Sequence, residues 1–295
     1  MHFKRIEESK MEAEGSIAKY GGNAEHNYSH FLFKQNPLRE CYFFDLGNSR
    51  GVCAFLSKES RIITIIGDIL APREEWKPIF LDFYDFCRKN FETSKIKIEI
   101  SEAFKKELEK EEKIKLSMNY HLDWPVYSLK NIDRELKGKD WKKLRNIRNA
   151  FSKDFKVMVK KPEDVDKAQL SNVLDKWLQK RSSNDYVDVN YYKNAIKSCF
   201  KGWFARIYQV NGNISAISAG WKVPNSSCIY FGIGLIDYKI KNFGDFVNVE
   251  DLLFAKEHGF EFADLGGSDE NLLNFKKKFH PERIYRSFAC TIRAR

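Results

Sequence analysis

No apolar run in the 295 residues is long enough to cross a bilayer. The longest candidate, residues 62–70, is broken by Gly67 and Asp68. The first ten residues carry charges of both signs, and no apolar signal region follows them. Both absences point to a cytoplasmic protein without a transmembrane segment. Cysteine is sparse. Six are present, none in a CxxC pair, and no Cys/His cluster has zinc spacing. A metal centre and a disulfide framework are therefore not expected, and the thiols are read as small core residues. His26, His30, His121, His258 and His280 show no triad or metal spacing with a carboxylate. His258 is placed at a helix C-terminus, where a cation suits the dipole.

The composition supports a sizeable core, with 43% hydrophobic and 15% aromatic residues. The length allows one large domain or two of ordinary size. The formal net charge is +10, and its distribution is uneven. Residues 130–161 hold twelve Lys/Arg against four Asp/Glu, a local net of +8. A concentrated basic segment is an electrostatic footprint for RNA, a lipid surface or a phosphorylated cofactor. A solvated helix face is the plainer alternative.

Apolar periodicity and turn residues predict the same element order twice. Strands at 41–46, 51–56 and 61–66 precede a helix near 73–90, with Pro78 marking its first turn. A strand at 95–100, a helix at 102–112 and a strand at 114–120 complete the first half. The second half has strands at 203–210, 214–223 and 228–235, the first two joined by Asn211-Gly212-Asn213. A helix at 246–258, a strand at 260–265, a helix at 270–278 and a strand at 284–292 follow. A helical region, 131–178, joins or precedes this second half. The expected fold class is α/β (α+β), two mixed sheets flanked by helices. The expected domains are 1–129 and 130–295, the latter with a basic helix at 139–151.

On that helix Trp141, Leu144, Ile147 and Phe151 form one stripe. Lys142, Arg145 and Asn149 lie on another face, with Arg148 between. The arginines suit bidentate phosphate contacts; pairing with acidic residues elsewhere in the chain is the alternative. Trp177, Lys180 and Arg181 end a helix before Asn184-Asp185-Tyr186, a loop placed over a pocket. Trp177 reads more readily as core than as a ligand platform.

The segment from Asp264 through Gly266-Gly267-Ser268 to Phe275-Lys276-Lys277-Lys278-Phe279 is the most informative. A strand ends in a carboxylate, two glycines permit close backbone approach, and a short capped helix delivers lysines. It resembles the D-x-G-G-S…F-K-x-x-F signature of the Fem-type peptidyltransferases and of the phosphatidylglycerol lysyltransferase C-terminal domain. Residues 66–72 are similar to the G-D-P-x-x-P turn of the latter, with Ile69 replacing the first Pro. Residues 142–150 are similar to the R-x-x-I-R-K-A helix of both groups. The resemblance spans about Phe31 to Tyr285. It implies a tandem GNAT-like acyltransferase fold that moves an aminoacyl group from aminoacyl-tRNA to an amine or hydroxyl acceptor. The acceptor is a small molecule, peptide or lipid headgroup, the last with peripheral membrane contact. It puts Lys276 and Asp264 at the chemistry. Lys142, Arg145 and Arg148, Gly266, Gly267 and Ser268, and Trp177 and Arg181 are the expected substrate- and tRNA-binding residues. No permanently bound cofactor is expected.

Two alternatives stand beside it. An acyl-CoA N-acyltransferase needs small residues at a helix N-terminus for the pyrophosphate. Residues 238–246 offer one glycine, a bulky Phe and Asp245, against the positive charge of Lys239 and Lys241. The other alternative is a non-catalytic module that binds RNA or a membrane surface.

Overall fold

The computed structural model describes residues 2–91, 93, 95–181 and 187–295. The first half contains β1 (His2–Arg5), α1 (Lys10–Tyr20), α2 (Tyr28–Phe33), β2 (Arg39–Gly47), β3 (Arg50–Ser57), β4 (Ile63–Ile66), α3 (Trp76–Phe91), β5 (Ile96–Ser101), α4 (Glu102–Leu108) and β6 (Ile114–Ser128). The second contains α5 (Lys142–Asp154), β7 (Val157–Lys160), α6 (Lys167–Leu178), α7 (Val189–Lys197), β8 (Phe204–Val210), β9 (Asn213–Lys222), β10 (Cys228–Ile236), α8 (Phe243–Glu257), β11 (Phe262–Asp264), α9 (Glu270–Lys277) and β12 (Arg283–Ala294).

The repeat expected from the sequence is present. In each half three antiparallel strands, β2-β3-β4 and β8-β9-β10, precede a helix and a strand parallel to the third, β5 and β11. Turn chemistry sets the second hairpin. Asn211 and Gly212 both have positive φ, 48° and 85°, so Val210 pairs directly with Asn213. The helices bury apolar stripes on the sheet. Phe80, Phe83, Tyr84 and Cys87 of α3 join one core, and Leu170, Val173, Leu174 and Trp177 of α6 join another.

The halves do not form two separate sheets. Among the described residues there is one twelve-stranded sheet, ordered β1-β2-β3-β4-β5-β12-β6-β11-β10-β9-β8-β7. The final strands are exchanged: β12 lies against β5, and β6 against β11. Each covers the open edge of the other half, and β6 and β12 pair along Arg283–Ala294. An uncovered edge would leave a row of unpaired N–H and C=O groups, which the exchange removes. It also explains why β6 runs on to Ser128, through Pro125, past the expected end at 120. In the division proposed from the sequence, β6 of residues 1–129 therefore sits among the strands of 130–295, and β12 the reverse.

A second tie crosses the molecule. The segment from Gly21 to Gln35 is held by the second half: Trp221 Nε1 donates to Ala24 O at 2.8 Å, and Trp203 Nε1 to Asn27 Oδ1 at 3.0 Å. Asn194 Nδ2 donates to Phe33 O and Gln35 O, both at 2.9 Å.

Candidate active site

The exchanged strands bring the site together at the centre of the sheet. Tyr230 of β10 pairs with Asp264 of β11, Asp264 with Val126 of β6, and Trp124 of β6 with Tyr285 of β12. Paired residues share a face and strand residues alternate, so these side chains form one row on one face. Parallel pairing of β10 and β11 stops at Asp264, while β10 continues to Ile236 through an irregularity after Tyr230. The strands part there and leave a cleft of about 490 Å³ lined by Tyr230, Gly266, Gly267, Lys276, Trp177 and Arg181.

The glycine turn is required by sterics. Gly266 has φ of 91°, a region that side chains disfavour, and a Cβ on Gly267 would lie 2.9 Å from the Trp124 ring. Gly267→Ala should therefore push the turn off Trp124, lowering both melting temperature and activity. A variant with wild-type values of both would show that the turn has slack. Past the turn, the Asp269 carboxylate caps α9 by accepting from Leu272 N–H at 2.8 Å. Ser268 is buried, and its hydroxyl donates to Gly266 O at 3.2 Å.

Lys276 is only 6% exposed. Its Nζ donates to Leu265 O at 2.6 Å and Gly266 O at 2.8 Å. Burial lowers its pKa to about 8, against the opposing pull of Asp264 and Asp269. An ammonium has three donors. Two are committed to the turn, which leaves one, and Lys276 is among the residues that line the cleft. Asp264 is 2% exposed, and burial raises its pKa to about 6. Its Oδ1 accepts from Gly266 N–H at 2.7 Å and its Oδ2 from the Tyr285 hydroxyl at 2.8 Å. These bonds and Lys276 favour the ionised form. Between about pH 6 and 8 the site therefore holds a carboxylate and an ammonium together.

The basic helix is placed elsewhere. Arg148 Nε donates to Glu250 Oε1 of α8 at 2.6 Å, and its Nη1 to Arg134 O at 2.7 Å. Arg145 Nη1 donates to Leu136 O, and to Gly138 O at 3.4 Å. Both arginines bind α5 and the loop before it into the fold, and neither lines the cleft. Lys142 is exposed on α5 and is not among the residues that line the cleft. Trp177 does line the cleft but is also buried in the α6 core, with the Arg181 guanidinium 4.2 Å from its ring centre. The loop expected at Asn184-Asp185-Tyr186 lies outside the described residues. Lys277 is exposed, but Lys278 is not simply solvated: it pairs with Asp245 and lies 3.8 Å from the Phe275 ring centre.

Three features escaped the sequence analysis. Tyr285 had no role, since only the exchange of β12 brings it to Asp264. His30 was given no carboxylate neighbour, yet its Nε2 is 3.3 Å from Glu25 Oε1 and its Nδ1 is 3.0 Å from the Tyr191 hydroxyl. Asp251 of α8 is buried, accepting from Ser218 at 2.6 Å, Tyr208 at 3.0 Å and Arg206 at 3.2 Å, and burial raises its pKa to about 6.

Residues 25–291 match the family described as phosphatidylglycerol lysyltransferase, C-terminal. The chain belongs to that family. It is accordingly an acyltransferase of the aminoacyl-transferring class with a tandem GNAT-like fold. No curated protein matches the sequence significantly. Among solved structures, it is similar to L-PGS from Bacillus licheniformis, with a TM-score of 0.69 and 16% identity over 96% of this chain and 91% of that one. FemX gives 0.64 and 13%, covering 98% and 97%. A tandem GNAT protein from the clavulanic acid biosynthesis pathway gives 0.57 and 10%, covering 99% and 98%. At these identities the likenesses speak for the fold alone. No helix among the described residues is long and apolar enough to cross a membrane.

Proposed function

We propose that this acyltransferase takes its aminoacyl group from aminoacyl-tRNA and passes it to an amine or hydroxyl, with Lys276 and Asp264 at the reacting atoms. The observation that carries this is the buried ammonium of Lys276, fixed by two backbone carbonyls on a residue that lines the cleft. An aminoacyl ester is already activated, so no enzyme nucleophile is needed. The acceptor N or O attacks the ester carbonyl, and the new amide or ester bond forms as the bond to the terminal ribose oxygen breaks. The acceptor's proton leaves through Asp264, and the ribose oxygen regains one as a hydroxyl. Lys276 stabilises the negative charge that develops between these steps. The second opening at the turn is a groove of about 1290 Å³ between α4 and α9, which Ser268 and Tyr285 line. It supplies room for the acceptor, and small-molecule, peptide and lipid-headgroup acceptors all fit the chemistry. Because aminoacyl-tRNA is the donor, we place the reaction in the cytoplasm.

The N-terminus of α8 argues against acyl-CoA. Asp245 is buried in its first turn and already holds Lys278, so the position where a pyrophosphate would gain from the helix dipole carries a carboxylate. The test is ligand-dependent stabilisation. Charged tRNA should raise the melting temperature and CoA thioesters should not; the opposite pattern would favour the acyl-CoA alternative.

Within this proposal, tRNA contacts on α5 fall to its exposed lysines, Lys142 and Lys143. Replacing both by Ala should flatten the salt dependence of tRNA binding by about 0.7–0.9 in log–log slope per lost contact. Arg148→Ala should instead lower stability by about 1–3 kcal/mol, since Glu250 loses a partner at a largely buried position. A steeper or equal slope in the double lysine variant would move the tRNA surface elsewhere.

A further inference from the structure

We infer that Tyr285 is a positioning residue for the transfer: its hydroxyl holds the buried Asp264 carboxylate ionised and aimed at the turn, while its ring forms the wall of the groove. The inference rests on the proposed role of Asp264 and adds the group that acts through it. Tyr285 is 37% exposed, whereas Asp264 is 2% exposed, so one side chain reaches from the open groove to a carboxylate that solvent barely touches. Its hydroxyl donates to Asp264 Oδ2 at 2.8 Å, leaving Oδ1 to the Gly266 N–H. The ring is fixed independently of that bond. It stacks on Trp124 at 15° and 5.7 Å, and Trp124 Nε1 donates to Ser287 Oγ at 2.8 Å. Ser287 Oγ in turn donates to Glu99 Oε1 at 2.7 Å. On the backbone side Tyr285 is paired with Trp124, and the next residue, Arg286, is tied to Asp123 at 2.7 Å.

Hydrogen bonding to an ionised carboxylate favours that form. Near Asp264 the other groups that act on its charge, or feel it, are Lys276 from α9, Tyr127 from β6, Cys228 and Tyr230 from β10, and Glu25 from the N-terminal segment. Lys276 is the cation among them, and it is shared with two carbonyls. Beside the Gly266 N–H, Tyr285 is the neutral side-chain donor to the carboxylate, and phenylalanine removes that donor while keeping the ring on Trp124.

Tyr285→Phe is the test, read two ways. Carboxyl NMR titration of Asp264 should show its midpoint rising by roughly one pH unit. At saturating substrates, the acid limb of kcat should rise by the same amount, so that kcat falls about fivefold at pH 6 and is nearly unchanged at pH 8. KM for the donor and the alkaline limb should stay in place. An unmoved Asp264 midpoint, or an equal loss at every pH, overturns the inference and leaves Tyr285 as packing. If the midpoint rises while the acid limb stays put, Tyr285 does hold the carboxylate, and what fails is the proposed role of Asp264 in transfer.

Discussion

Lys276→Ala is expected to lower aminoacyl transfer by about 100-fold or more while leaving the protein folded, as for removal of one preorganised oxyanion donor. Helix α9 is fixed at both ends: Asp269 caps its start, Leu273 is buried, and the Tyr127 hydroxyl donates to Lys276 O at 3.1 Å. The Lys276 side chain is therefore delivered to one point rather than sampling a volume. Truncation takes the Lys276 donor from Leu265 O and leaves Gly266 O with the Ser268 hydroxyl, at a cost of about 1–3 kcal/mol. The melting temperature should fall accordingly, and rates should be compared well below it. Lys276→Arg should not restore activity, because a planar fork cannot reproduce two converging bonds from one nitrogen. Lys277→Ala should lose far less, since Lys277 is exposed on the same helix. Equal, modest losses at 276, 277 and 278 would reduce the site to a diffuse positive patch. These outcomes are separable by steady-state kinetics on the purified variants.

Asp264→Asn should lower kcat by about 100-fold or more, within the usual range for loss of a general acid–base group. The amide oxygen can still accept from Gly266 N–H, so the turn should survive. The pH dependence gives a sharper signature. Asp264 has a raised pKa of about 6 and is the base of the proposed mechanism, so activity should be lost as pH falls through that value. Lys276 has a lowered pKa of about 8 and acts as a cation in the proposed mechanism, so activity should be lost as pH rises through it. A bell centred near neutrality follows, and Asp264→Asn should remove its acid limb. Retention of that limb in the variant would assign it to another group.

The repeated halves could be read from periodicity and turns because the relevant signals are local: Asn211-Gly212, the apolar stripe of α3, and the glycine after α8. The strand exchange could not. Whether β6 pairs with its own half or with β11 depends on which edge it covers, and a strand's alternation is the same in either place. The site divided along the same line. Asp264, Gly266, Gly267 and Lys276 lie within thirteen residues, so one motif revealed them. Tyr285 comes to Asp264 only through the exchanged strand, and Glu25 and His30 come to the sheet only through the long reach of the N-terminal segment. The basic helix shows the opposite limit. Its charge was plain in the sequence, but Glu250, which neutralises Arg148, is a hundred residues away. Phosphate binding and pairing within the chain look alike in the sequence, because the partner of Arg148 is set by the packing of α5 on α8.

Turnover of a mixed pool of aminoacyl-tRNAs tests the central claim most directly. The purified protein, incubated with the charged pool and a panel of amine and hydroxyl acceptors, should accelerate loss of the aminoacyl ester from tRNA, with the label appearing on an acceptor. The acceleration should vanish in Lys276→Ala. An unchanged rate of ester loss with the wild-type protein, together with consumption of an acyl-CoA in the same acceptor panel, would contradict it.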